Sequence, residues 1–195
     1  FLVKKTRMGK AMRAVSEDAD AARLMGIPTD RVIAFTFLVG AVAAGMSVVL
    51  VSATNGKSTV ATMLAAALGE HRRPAFNSGG SNMLEGAAMA LSERPRATQA
   101  VLEVDEMVLG QIARATGAGW VVLMNASREY TRGVSLERTL EHWQQTLADP
   151  RFRSVVIANA DDPSIVAVSE PLAADGRVVW VAGGLEWRED SRLCR

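Results

Sequence analysis

The sequence predicts an α/β fold, a doubly wound and mostly parallel sheet with a phosphate loop, preceded by a helical N-terminal segment. From Val48 onward, short runs rich in β-branched residues alternate with helix-like segments, which is the pattern of a doubly wound sheet. The runs are almost continuously apolar, as in strands that are buried on both faces. The first run leads into a Gly-Lys-Ser turn at residues 56–58, where a phosphate loop would join a strand to a helix.

Five strands and four helices are predicted from this alternation. The strands are predicted at residues 48–51, 100–104, 120–124, 154–158 and 178–181. The helices are predicted at residues 58–68, 83–91, 107–116 and 136–147, and glycines 69 and 117 follow two of them. Ligands of such sheets bind at the carboxyl ends of the strands. The polar residues that follow the apolar runs are therefore candidates for a single site.

The first 47 residues follow a different pattern. Residues 7–24 form a basic, alanine-rich stretch that is predicted to be helical, and the glycine and proline of residues 26–28 interrupt it. Residues 32–53 then contain no charged side chain over 22 positions. Two alternatives stay open for this run. One is a transmembrane helix with a positive cytoplasmic flank, since a bilayer span needs about 20 predominantly apolar residues. The other is a soluble helix over residues 32–45 that leads into the first strand.

Composition and charge narrow the classes of function. The chain has 195 residues, of which 49% are hydrophobic, enough for the core of one domain. Its formal charge of +1 gives no electrostatic reason to expect nucleic-acid binding. The charge is uneven, because residues 1–31 carry a net +3 and the remainder a net −2, which suggests two parts with different neighbours. The single cysteine, Cys194, excludes a disulfide framework within this chain and fits a reducing compartment.

The turn at residues 53–58 has the context of a phosphate-binding loop. Backbone N–H groups at a helix N-terminus point toward an anion, and the helix dipole favours negative charge there. Lys57 would place a positive charge at the β- and γ-phosphates, and the Ser58 hydroxyl would ligate magnesium. The strict motif would require glycine at position 51, where this chain has Val51. Gly-Lys-Ser alone also fits an ordinary turn, but a strand before it and a helix after it favour the phosphate site.

Three acidic residues stand at the end of the second apolar run. Glu103 directly follows that run, and a carboxylate in this position would hold a magnesium ion that bridges the phosphates. Asp105 and Glu106 are interpreted as the solvated start of a loop. The sequence therefore predicts Glu103 as the metal ligand of this group.

Asparagine and aspartate also end the next two runs. Asn125 follows the third run, and the Asn-Ala-Asp-Asp-Pro block of residues 159–163 follows the fourth. These residue types often only form turns at strand ends, and this is our interpretation of the Asp162-Pro163 pair. His71 and His142 are isolated in the sequence and are expected on the surface or on a helix, not as ligands.

Together these residues resemble the central domain of the Mur ligases over residues 47–185. The resemblance is carried by residues 54–58, Glu103 and residues 159–163, which match that domain in order and spacing. Within the family, the chain is most similar to the Mur-ligase-like subunit of lipid II isoglutaminyl synthase. Three segments point to that branch, namely residues 77–83, 102–106 and 125–129.

The resemblance implies an ATP-dependent carbon–nitrogen ligase of peptidoglycan synthesis. Lys57 and Glu103 would be catalytic, and Ser58 and Glu103 would bind Mg²⁺. The residues that the resemblance places around ATP are Thr54, Asn55, Gly56, Lys57, Ser58, Thr59, Asn159 and Asp161. The D-glutamate carboxylate of the lipid II stem peptide would be activated as an acyl phosphate. Ammonia from a partner glutaminase-type amidotransferase subunit would then attack it.

Several departures from the family limit this expectation. Ala53 stands where the family usually has glycine, and Tyr130-Thr131-Arg132 replaces its polar, acidic continuation, which leaves the acceptor side open. The family's C-terminal domain does not follow, and residues 186–195 are interpreted as the start of a further segment. That branch carries a cysteine zinc ribbon, but Cys194 alone cannot hold zinc. We therefore expect a cytoplasmic nucleotide-binding core, with association to the inner face of the plasma membrane through residues 32–53 as an alternative.

Residues 3–46 resemble a different family, the permease subunit of branched-chain amino-acid ABC transporters. The resemblance is carried by residues 6–14, 22–27 and 30–33. In that family this part is a cytoplasmic coupling segment that leads into a transmembrane helix. The chain thus divides into a permease-like segment at 1–46, a ligase-like domain at 47–185 and residues 186–195, and our hypothesis is that two unrelated coding fragments were joined. Other functions that stay open are a permease fragment, another phosphate-loop ATPase, and a folylpolyglutamate- or cyanophycin-type ligase.

Overall fold

The computed structural model describes residues 7–29, 32, 46–69, 73–77, 81–126 and 134–183. Two short helices come first, and a regular alternation of strands and helices follows. The elements are α1 (Arg7–Glu17), α2 (Ala19–Leu24), β1 (Ser47–Ser52), α3 (Lys57–Gly69), β2 (Ala75–Phe76), α4 (Leu84–Glu93), β3 (Gln99–Glu103), α5 (Leu109–Thr116), β4 (Trp120–Leu123), α6 (Leu136–Ala148), β5 (Val155–Asn159), α7 (Pro163–Ala173) and β6 (Val178–Val181).

The six described strands form one sheet in the order β2-β3-β1-β4-β5-β6. Every neighbouring pair is parallel, so the predicted α/β fold with a parallel sheet is confirmed. β1 lies in the interior of the sheet, between β3 and β4. Because all strands run the same way, their carboxyl ends lie at one edge, which we call the carboxyl edge.

The path of the chain explains how the helices are distributed. The chain moves outward from β1 to β2 and then returns through β3 toward β6. Because crossovers between parallel strands are right-handed, the outward connection and the returning ones place their helices on opposite faces. Accordingly, α3 packs through Ala61 and Ala65 against Val51 of β1. The other face carries the main core, to which β1 contributes Leu50 and to which α4, α5, α6 and α7 all contribute.

Two elements among the described residues were not predicted from sequence. β2 has only two residues, too few for a hydrophobic pattern to be visible. The helix α7 begins at Pro163, with Asp162 as its N-cap, so the interpretation of Asp162-Pro163 as only a turn was incomplete. The Asp162 carboxylate accepts the N–H groups of Ser164 at 2.8 Å and Ile165 at 3.2 Å. An N-cap aspartate before a proline at the first helical position is a helix-start pattern, which the sequence did contain.

The N-terminal segment packs on the main core through α1 and α2. Val15, Ala22 and Val32 are buried in that core. The predicted helix over residues 7–24 is divided at Asp18, whose carboxylate caps α2. Within the described ranges, no helix is long and apolar enough to cross a membrane. Residues 33–45, most of the charge-free run, lie outside the described residues, so its two alternatives stay as stated above.

His142 on α6 gives a prediction about pH. Its side chain is half-buried, and in the described part of the chain its Nε2 has no hydrogen-bond partner. Burial first and the nearby Arg114 second lower the pKa of His142 below 6.5. The unfolded chain therefore takes up this proton more readily than the folded one, so stability falls as the pH decreases through 6.5. We expect His142→Gln to flatten the decline in Tm between about pH 7 and about pH 5, measured by circular dichroism.

His71→Gln is the matched control, because it removes the only other histidine in the sequence. If His71→Gln flattens the Tm profile and His142→Gln does not, the assignment to His142 is wrong.

Candidate phosphate-binding site

The candidate site lies at the carboxyl edge, where residues 53–56 join β1 to α3. Glu103 at the end of β3 is the register partner of Val51 in β1. On the other side, Leu123 of β4 is the partner of Ser52. Residues that follow β3 and β4 therefore flank the loop directly, and residues that follow β5 lie one strand further away. The sequence prediction that the strand-end residues share one edge is confirmed.

The loop has the backbone conformation that its glycine allows. Gly56 has a φ of +79°, in the left-handed region that side-chain-bearing residues rarely adopt. A Cβ added there would meet only the terminal methyl of Met124 at an ordinary 3.5 Å, so the backbone, not crowding, requires glycine. α3 begins directly afterwards at Lys57, and Ser58 and Thr59 are exposed at its start. Val51, where the strict motif has glycine, is a buried residue of β1.

Asn125 holds this loop from the end of β4. Its backbone carbonyl accepts the N–H of Thr54 at 3.0 Å. Its side-chain oxygen accepts the N–H of Asn55 at 3.0 Å, and its amide nitrogen donates to the Asn55 carbonyl at 2.9 Å. The amide side chain supplies both the donor and the acceptor for this pairing. Asn125 thus fixes the loop, a role that its position at a strand end did not reveal.

Lys57 is folded back onto its own loop. Its Nζ donates to the Ala53 carbonyl at 2.7 Å and lies 3.3 Å from Oε2 of Glu106. The Lys57 and Glu106 side chains are only 12% and 14% exposed. The interpretation of Glu106 as part of a solvated loop start is therefore wrong. The segment after β3 turns toward β1, and the Glu106 carbonyl accepts the indole N–H of the fully buried Trp143 at 3.2 Å.

Glu103 is held in place through its backbone. The Asn77 side chain accepts the Glu103 N–H at 2.8 Å and donates to the Glu103 carbonyl at 2.8 Å. Asn77 also donates to the Ser81 carbonyl at 2.7 Å. Glu103 is only 3% exposed, and within the described residues its carboxylate accepts no hydrogen bond. Its carboxylate is therefore not engaged by the described part of the chain and is available as an oxygen ligand for a cation.

This donor set fits magnesium bound together with phosphate. Mg²⁺ prefers oxygen ligands and usually combines one or two protein ligands with waters and substrate phosphates. Glu103 supplies a carboxylate, and the exposed Ser58 supplies a hydroxyl. Among the described residues, no group of three or more His, Cys, Asp or Glu side chains could hold a metal ion. A magnesium ion here would therefore depend on phosphate oxygens and water for its other ligands.

The residues after β5 tie three strand ends together. The Asn159 amide donates to the Met124 carbonyl at 2.7 Å, and its oxygen accepts the Asp161 N–H at 3.0 Å. The Asp161 carboxylate in turn accepts the N–H of Gly183 beyond β6. These hydrogen bonds explain why polar residues stand at positions 159 and 161. Contact of Asn159 and Asp161 with a nucleotide stays a prediction. Residues 127–133, which include the unusual Tyr130-Thr131-Arg132, and Cys194 lie outside the described residues.

Solved structures with this fold include MurF ligases. The chain is similar to the UDP-N-acetylmuramoylalanyl-D-glutamyl-2,6-diaminopimelate–D-alanyl-D-alanyl ligase from Acinetobacter baumannii, with a TM-score of 0.62 and 15% identity over 79% of this chain and 34% of that one. A second structure of MurF from Acinetobacter baumannii gives a TM-score of 0.61 and 15% identity over 78% of this chain and 33% of that one. At this identity the likeness establishes the fold. The chain spans about a third of the length of these ligases.

Sequence comparison matches the N-terminal part to a transporter family. The family described as branched-chain amino acid transport system / permease component matches residues 1–68. The permease protein LivH of Escherichia coli (strain K12) and that of Salmonella typhimurium are each 50% identical to this chain over 50 residues. The match covers 26% of this chain and 16% of each permease. The family match extends past residue 46 and includes β1, the loop and most of α3.

Proposed function

We propose that residues 47–185 form the Mg²⁺–ATP-binding core of a Mur-type ligase that makes amide bonds through an acyl phosphate. The observation that carries the proposal is the β1–loop–α3 unit with a left-handed Gly56, Lys57 at its mouth and the buried Glu103 one strand away. The fold likeness to MurF ligases supports it. A bare phosphate loop would fit many enzymes, but this fold with a buried carboxylate beside the loop favours a ligase.

The residues of the loop would act mainly by positioning and electrostatics. The N–H groups at the start of α3 and the helix dipole would bind the phosphates. Lys57 would leave the Ala53 carbonyl and Glu106 to contact the transferred phosphoryl group, where added charge develops. Glu103 and Ser58 would hold magnesium, which neutralises phosphate charge when bound.

The finer proposal is amidation of the D-glutamate of lipid II, with ammonia from a glutaminase-type partner. It rests on the similar segments at residues 77–83, 102–106 and 125–129. Two residues of these segments have a structural role, because Asn77 holds Glu103 and Asn125 holds the loop by hydrogen bonds. The test is incubation of the full chain with lipid II, ATP, magnesium and ammonium chloride. Mass spectrometry should find the free α-carboxyl of D-glutamate converted to an amide, and ADP release without amide formation would reject this substrate.

Removal of the loop lysine should weaken nucleotide binding. A hydrogen bond to a charged group is worth about 1.5–3 kcal/mol, so Lys57→Ala should weaken Mg²⁺–ATP binding by roughly 10- to 150-fold. Isothermal titration calorimetry on the full chain measures this change. The control is Lys10→Ala. Lys10 is an exposed lysine on α1, distant from Lys57 in the sequence, so its removal should leave the affinity for Mg²⁺–ATP unchanged. A folded wild-type chain that binds ATP no better than Lys57→Ala would refute the site.

A second candidate function is that of a permease fragment. The 50% identity to LivH over 50 residues and the family match over residues 1–68 favour it. It accounts for the basic flank and the charge-free run, but not for the strands that follow residue 68. One long genomic read across codons 40–55 separates a native fusion from an artefactual junction. A simple phosphate-loop ATPase, a third alternative, would hydrolyse ATP without any acceptor.

A further inference from the structure

We propose that Glu106 is a positioning residue that holds Lys57 against its own loop until a ligand binds, so that the site admits Mg²⁺-bound polyphosphate and disfavours simple anions. This inference rests on the proposed nucleotide site. It assigns a role in ligand selection to Glu106, which follows the predicted metal ligand Glu103 by three positions in the chain. An anion can reach Lys57 only by replacing an ion pair that already exists.

The contacts of Lys57 show which bonds an anionic ligand must replace. An ammonium group has three donors, and two of them are directed to the Ala53 carbonyl and to Glu106. Because Lys57 and Glu106 are both mostly buried, the pair is screened by solvent less than an exposed one. A binding-competent state in which Lys57 has left Glu106 is therefore the less populated one. The apparent affinity for any anion is reduced in proportion to that population.

Glu106 stays at the site after the exchange. Its backbone carbonyl is anchored by Trp143. The turn around it is closed by the Val108 N–H, which donates to the Asp105 carbonyl at 3.2 Å. The Glu106 carboxylate can thus move only by side-chain rotation, and a bound phosphate would lie near two carboxylates, those of Glu103 and Glu106. Like charges at short range repel, so a phosphate that arrives with magnesium is favoured over one that arrives without it.

The first test compares ligands by isothermal titration calorimetry in Glu106→Gln and wild-type chains. The probes are ATP with magnesium, ATP with EDTA, and inorganic phosphate. Glu106→Gln should bind metal-free ATP and inorganic phosphate roughly 5- to 20-fold more tightly than wild type. The affinity for Mg²⁺–ATP should change less, so the preference of the site for ATP with magnesium over ATP without it should decline. The control is Glu141→Gln, an exposed acid on α6, which should match wild type.

The second test needs no nucleotide. Lysine occurs only at positions 4, 5, 10 and 57, so acylation of Lys57 can be followed by mass spectrometry, with the exposed Lys10 as internal reference. In the Glu106→Gln chain the ion pair is lost because glutamine carries no charge, so Lys57 should be acylated several-fold faster relative to Lys10 than in the wild-type chain. Added Mg²⁺–ATP should protect Lys57 in both chains.

The two tests separate the possible failures. If Lys57 reacts at the same relative rate in both chains, or if Glu106→Gln binds metal-free ATP no more tightly than wild type, the role of Glu106 is overturned while the nucleotide site stands. If Glu106→Gln accelerates acylation but no chain binds or is protected by nucleotide, the ion pair is real and the proposed function is overturned, together with the selectivity.

Discussion

Trp143→Ala is expected to destabilise the fold by about 3–5 kcal/mol, the usual cost of removing a large aromatic side chain from a core. Among the described residues, Trp143 has the largest fully buried side chain, and it belongs to the main core. Its loss would also leave the Glu106 carbonyl without its indole donor. Urea denaturation followed by circular dichroism measures the change in the free energy of unfolding.

Two further variants separate the contributions of Trp143. Trp143→Phe keeps most of the ring but loses the N–H, so it should cost about 1–3 kcal/mol. Trp120→Ala removes an indole that is 40% exposed on β4 and should cost clearly less than Trp143→Ala. Equal losses for Trp120→Ala and Trp143→Ala would contradict the burial on which the prediction depends.

Asn77→Ala is expected to destabilise the fold by about 2–4 kcal/mol, because it leaves buried backbone groups without partners. Asn77 is 4% exposed, and its side chain bonds both the N–H and the carbonyl of Glu103 and the carbonyl of Ser81. Loss of this support should also displace Glu103, so the affinity for Mg²⁺–ATP should fall more than the affinity for metal-free ATP. Urea denaturation and calorimetry measure the two effects.

The control for Asn77→Ala is Asn82→Ala, in the same segment of the chain. Asn82 is buried, and its backbone carbonyl accepts the Asp105 N–H at 2.8 Å, a bond that Asn82→Ala keeps. Asn77→Asp is nearly isosteric but can only accept, so it should also be destabilising at neutral pH. If Asn77→Asp is as stable as wild type, the donated bonds to Ser81 and Glu103 contribute nothing.

Local patterns predicted much of the fold. The strand at residues 178–181 was predicted at its observed bounds, and the other four predicted strands agree to within one residue at each end. Such runs are recognisable because strands buried on both faces must be apolar at nearly every position. The two-residue β2 carries no such pattern, and its existence follows from its pairing with β3. The polar Gly-Lys-Ser turn after β1 was likewise recognisable from its immediate neighbours.

The sequence by itself determined the α/β class, the loop at residues 54–58 and the position of Glu103 at a strand end. Only the tertiary structure decided which strand ends meet the loop. The chain order of strands does not give their order in the sheet, and the placement of β1 between β3 and β4 brings Glu106 to Lys57 and Asn125 to Asn55. These partners are 49 and 70 residues apart in the chain. Their contact depends on right-handed crossovers and on the packing of α3 opposite the other helices, which no local pattern encodes.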